Sequence, residues 1–141
     1  MKKRILIILI VVLSLSSILF FTLWQKELHN KSNIERIAQS EASEAYRSFS
    51  EYQASGNESD YWAGVSAFHA YQEAYHLLTE DTNKATNSTF CNEVYGSLLC
   101  TPERSMAHIS DIVDVMGILS ENVMDETGYV RMSELRNTIQ E

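Results

Sequence analysis

The sequence predicts an all-α protein: an N-terminal transmembrane helix, then a small extracytoplasmic helical bundle of three longer helices and one or two short ones. Three observations predict it. Residues 5–24 are an apolar run without charge, Pro or Gly. After them, apolar residues recur at spacings of three and four rather than alternating. One Pro and five Gly in 141 residues leave few breaks.

The run ILIILIVVLSLSSILFFTLW at 5–24 would cover roughly the 30 Å of a bilayer's hydrocarbon at about 1.5 Å per helical residue. Its polar members, Ser14, Ser16, Ser17 and Thr22, are hydroxyls that bond back to a preceding carbonyl. Trp24 stands where a ring meets headgroups, and Lys2, Lys3 and Arg4 keep the front end inside. The expectation is a single-pass signal-anchor in the cell membrane, with the lipid bilayer as partner of 5–24, a cytoplasmic N-terminus and an extracytoplasmic C-terminal part. A cleaved signal peptide, cut after Ser14-Leu15-Ser16, is the competing reading. It would leave SILFFTLW exposed to water, so the anchor is preferred. The basic start and Ile/Leu-rich run suggest a bacterial protein. The resulting organisation is 1–24 cytoplasmic tip and anchor, 25–33 juxtamembrane segment, and 34–141 helical domain.

The formal charge is −8, falling to −11 without Lys2, Lys3 and Arg4. So acidic a domain is repelled by phosphate backbones, which excludes nucleic acid as a partner.

A first soluble helix is expected over 32–54, with Ser32 as cap and Glu35 three residues on. Ile34, Ala38, Ala42, Ala45, Phe49 and Tyr52 make its seam, and Gly56 its end. The second helix should run from Ser59 or Asp60 to about 80. Tyr61, Val65, Phe68, Tyr71, Tyr75 and Leu78 form an aromatic stripe beside Ala63, Ala67, Ala70, Ala74 and Leu77. So apolar a helix is expected to be central, with Trp62, Tyr71 and Tyr75 in the core. Residues 81–89 read as a loop, 90–99 as a short helix broken at Gly96. Thr101-Pro102-Glu103 starts a third long helix reaching about 120. A turn at Gly128 and a short terminal helix from Ser133 complete the chain.

Three groups of residues suggest chemistry. His69, Gln72, Glu73 and His76 share one helix face, and Glu73-Ala-Tyr-His76 has the Glu-x-x-His spacing of ferritin-like di-iron sites. Imidazole and carboxylate together suit a divalent metal, so His69, Glu73 and His76 are metal candidates. The pattern does not recur, and a solvated face accounts for the same letters. Second, the segment from Gly128 to Arg136 resembles the second half of an EF-hand calcium loop. Asp125, Thr127 and Glu134 would be the side-chain ligands, and Gly128 the sharp turn. It departs at the first ligand position, where Val123 offers no side-chain oxygen, and a glycine turn followed by a Ser133 cap explains it equally. Third, Cys91 and Cys100 are a disulfide candidate in an oxidising compartment. Nine residues of unbroken helix would hold them roughly 13 Å apart, so the bond requires a turn between them, at Gly96.

No complete catalytic constellation or nucleotide fingerprint occurs, and no cofactor is expected. The leading functional expectation is a membrane-anchored, non-catalytic interaction domain that docks on a protein of the cell envelope. A metal-binding protein or small metal-dependent enzyme using the His69/Glu73/His76 face is the first alternative. A homo-oligomeric scaffold joined through the alanine seam is the second.

Overall fold

Gly56 and Asn57 divide the chain as their residue types require. In the computed structural model, α1 (Lys2–Ser55) stops at Gly56, whose φ of 69° is one that a residue without a Cβ adopts at no steric cost. Its N–H bonds to the Tyr52 carbonyl at 2.7 Å, closing the last turn. The Asn57 side chain then accepts the Ser59 N–H at 3.2 Å and caps α2 (Glu58–Thr79). There follow α3 (Ala85–Cys100), α4 (Pro102–Ala107), α5 (Ile109–Glu121) and α6 (Glu126–Gln140). The structure describes the backbone of residues 2–79 and 85–140 and the side chains of 13–79 and 86–140. Among them every element is helical and no strand occurs.

The expected transmembrane helix is corrected. Among the described residues, no helix is long and apolar enough to cross a membrane. The front of the expected span, residues 5–12, lies outside the residues whose side chains are described. Single-pass membrane placement, the signal-anchor, the lipid partner and the extracytoplasmic address all rested on that span, and none is supported.

The chain divides into two units, Met1–Asn33 and Ile34–Glu141. In the first, Leu13, Ile18, Phe20, Leu23 and Trp24 are exposed, and Phe21 meets Trp24 edge-on at 6.3 Å. Ser32 lies within α1 rather than capping a separate helix.

The second unit is a helical bundle. Ala38, Ala42, Ala45 and Phe49 of α1 are fully buried, so the alanine seam is occupied inside the bundle and is not open to a second copy. Phe49 lies over Gly64 of α2, where an added Cβ would come within 2.6 Å of its ring; its ring centroid is 5.9 Å from that of Tyr61. Gln39 bridges α1 to the far end of the chain. Its amide donates to the Ser120 carbonyl at the end of α5 and accepts the Val123 N–H, satisfying groups that a helix end leaves open. α3 packs on α2, α4 and α6, and α5 packs on α6. Arg136 of α6 pairs with Glu93 of α3 at 3.1 Å and stacks 4.9 Å over Phe90. Tyr61, Phe68, Tyr71, Tyr75, Leu98, Ile112, Met116, Leu119, Met132 and Ile139 fill the core.

Three further element boundaries differ from expectation. α3 runs unbroken through Gly96 and begins before Phe90. The expected third long helix is two, because the chain departs from helical geometry at His108 (φ −109°, ψ 27°). α6 begins at Glu126, where the Asp125 carboxylate accepts the N–H groups of Thr127 (2.7 Å) and Gly128 (3.3 Å). Gly128 therefore makes no turn. It sits inside α6 because a Cβ there would lie 2.5 Å from Leu119.

Candidate functional site

α2 and α3 run antiparallel and meet along a polar seam. His69 stacks on Tyr95, with ring centroids 4.6 Å apart and planes 16° apart. One turn further along α2, the Gln72 amide donates to Asn92 Oδ1 at 3.3 Å. Another turn on, His76 Nδ1 meets Ser88 Oγ at 3.2 Å. Each step forward on α2 is a step back on α3. The face expected to be solvated is therefore the edge of a helix–helix contact: His69 and His76 stay exposed, but Gln72 is buried.

Near the His76 end the seam opens into a groove of about 520 Å³, lined by Gln72, Glu73, His76, Ser88 and Asn92 with Thr79 and Thr89. Gln72 is only 9% exposed, and its Oε1 is fully buried without a hydrogen-bond partner. A buried acceptor left in that state costs about 1–3 kcal/mol. Glu73 stands at the edge, largely exposed, with His69 Nε2 3.8 Å from its carboxylate.

At the opposite end the seam carries apolar groups. The Tyr61 hydroxyl donates to the Leu98 carbonyl at 2.9 Å, which brings the start of α2 beside the end of α3. The neighbours of these two residues, Trp62 and Leu99, are 42% and 44% exposed. Trp62 was expected in the core; it meets Tyr61 edge-on at 5.2 Å but keeps its outer face open. Tyr71 and Tyr75 are fully buried, as their stripe requires.

The candidate metal ligands are not gathered into a site. His69 is taken up by Tyr95 and Glu73, and His76 by Ser88. Among the described residues no group of three His, Cys, Asp or Glu is placed to hold a metal ion. The calcium-loop resemblance fails on backbone shape. Thr127 to Glu134 are already helical, Asp125 is committed to capping, and Glu134 pairs with Arg131 at 3.3 Å.

The two cysteines are free, Cys91 buried and Cys100 exposed. They lie at different turns of one continuous helix, and with no reversal at Gly96 they cannot reach each other. Desolvation pushes the Cys91 thiol up to about 12, far from the reactive thiolate range. Around it lies a buried phenol cluster. Tyr75 stacks on Tyr129 with centroids 4.7 Å apart, and burial holds the Tyr71, Tyr75 and Tyr129 hydroxyls above the ordinary range. These groups are protonated and hydrogen-bonded at neutral pH, which suits packing rather than acid–base work.

Sequence reasoning missed Trp62, Asn92, Tyr95 and Leu99. Ser88, Asn92, Tyr95 and Leu99 recur at spacings of four, three and four, a helical stripe. Reading 81–89 as loop cut that stripe at its first member. No family model, curated protein or solved structure matches the chain.

Proposed function

We propose that the bundle is a non-catalytic interaction domain that docks a protein partner on the α2–α3 face. The observation that carries this reading is the composition of that face. It joins an exposed Trp and Leu, a stacked His–Tyr pair and a polar groove along one continuous seam. Interfaces draw most of their energy from a few aromatic anchors, bordered by polar groups that fix orientation. Trp62 supplies the anchor here, Leu99 extends it, and the groove supplies the polar groups. Both residues are surface positions, 42% and 44% exposed.

Site-specific photocrosslinking in the full chain tests it. A photoreactive residue at Trp62 or at Leu99 is expected to give one discrete adduct in the native cell. The same residue at Glu121, an exposed position on α5, is expected to give none, and Trp62→Ala should abolish the adduct formed from position 99. Equal labelling from all three positions, or no adduct from 62 and 99, overturns the reading.

A further inference from the structure

The docking face has a pattern along α2 itself. Glu58, Trp62, Ser66, His69, Glu73 and Leu77 follow one another at steps of three or four, and all six are exposed. They make one outer stripe of the helix. Trp62 and Leu77 lie fifteen residues apart on it, about 22 Å along the axis, and Leu77 is 58% exposed. The α3 row that meets α2 through Ser88, Asn92 and Tyr95 continues one turn on to Leu99, which widens the Trp62 end. The charge of this region is one-sided. Residues 48–103, which include all of α2 and α3, hold eight of the nineteen acidic residues and one of the eleven basic residues, Lys84. In the rest of the chain the signs nearly cancel, eleven acidic against ten basic. Neither α2 nor α3 contains a Lys or Arg.

An occupant of this face must therefore offer apolar anchors about four turns apart with positive charge around them. It must also satisfy its own backbone, because the described residues contain no strand edge for an extended peptide to pair with. We propose that the docking partner presents a basic amphipathic helix that lies along α2, an assignment that rests on the docking reading above. Its apolar side seats against Trp62, Leu99 and Leu77, and its Lys or Arg residues reach Glu58 and Glu73. A helix makes its backbone hydrogen bonds internally, and positions four, eleven and fifteen residues apart fall on one side of it. An acidic helix would set like charges against Glu58 and Glu73. An uncharged apolar one would desolvate both carboxylates without a counter-charge.

The test uses the full chain carrying Trp24→Phe, which leaves Trp62 as its one tryptophan. Three synthetic peptides of about five helical turns serve as probes. The first has Leu on one face and Lys on the other. The second holds the same residues in an order that breaks the apolar stripe, and the third keeps the Leu face with Glu in place of Lys. The first is expected to blue-shift Trp62 emission saturably, with a dissociation constant on the order of 10 μM. The other two should bind at least about tenfold more weakly. Leu77→Ser and Glu73→Gln should each weaken the first peptide about threefold or more, with the fold intact by circular dichroism. Glu121→Gln, on α5, should leave it unchanged. No saturable shift with the first peptide, equal binding of the second, or an equal loss in Glu121→Gln overturns the assignment. Photocrosslinking in the native cell separates it from the docking reading. An adduct from position 99 undiminished by Glu58→Lys and Glu73→Lys together overturns the basic helix and leaves the docking face standing. Absence of any adduct from positions 62 and 99 removes the docking reading and this assignment with it.

Discussion

The Tyr71 and Tyr129 hydroxyls stand 2.5 Å apart in the core, and Tyr129 continues outward, donating its proton to the Val123 carbonyl at 2.7 Å. Since Tyr129 has one proton and gives it to Val123, Tyr71 must be the donor between the two rings. Tyr129 is thus the relay that ties α2 to the segment between α5 and α6. Tyr129→Phe removes the Tyr71 hydroxyl's acceptor and the Val123 carbonyl's phenol donor together, and should cost about 2–4 kcal/mol. Tyr71→Phe removes a donor whose loss leaves Tyr129 still bonded to Val123, and should cost about 1 kcal/mol. Urea denaturation of the two variants checks the order; equal losses would refute the relay.

The glycines predict opposite signs for the same substitution. Gly64→Ala puts a methyl 2.6 Å from the Phe49 ring, and Gly128→Ala puts one 2.5 Å from Leu119. Each should lose about 1–3 kcal/mol to overpacking. Gly96 lies within α3 with nothing inside 4 Å of an added Cβ. Gly96→Ala should therefore stabilise the fold by roughly 0.5–1 kcal/mol, the difference in helix propensity. Thermal melts of the three proteins would show it.

Alkaline pH should unfold the bundle from within. Burial raises Cys91 and Tyr61 to about 12 and lifts Tyr71, Tyr75 and Tyr129 as well. In the unfolded chain the thiol ionises near 8.5 and the phenols near 10. Above those values the unfolded state releases protons that the folded state retains, so stability falls as pH rises. The melting temperature should hold up to about pH 8.5 and decline steeply toward pH 12. A profile flat to pH 11 would contradict the burial of these groups.

Thiol accessibility gives a fourth test. With Cys100 exposed and Cys91 buried, a thiol reagent should label one cysteine per chain in the native state and both in denaturant, without prior reduction. Two unreactive cysteines that appear only after reduction would restore the disulfide.

The helical class was legible because it rests on periodicity: the stripes through Ala38, Ala42, Ala45 and Phe49 and through Tyr61, Val65, Phe68, Tyr71 and Tyr75 are buried as read. The Gly56 stop was legible because a positive φ has a residue signature. Gly96 and Gly128 carried the same letter for other reasons. One stands in open space, the other makes room for Leu119, and only the neighbours tell these apart. The polar face of α2 was legible as a face but not as a contact, since its partners on α3 lay within or beyond a segment read as loop. Residue spacing also set His69, Glu73 and His76 on one side of α2 without revealing that Tyr95 and Ser88 already occupy both histidines.

Gln39 bonds to Ser120 and Val123, which lie 81 and 84 positions further along the chain. During synthesis, its partners leave the ribosome long after α1 and α2 have emerged, so the Gln39 end of the alanine seam waits for them while α2 already packs on the Phe49 end. Closure of the bundle is consequently a late event that depends on the C-terminal helices, and a nascent chain arrested before residue 123 should present that end of the seam to chaperones instead of burying it.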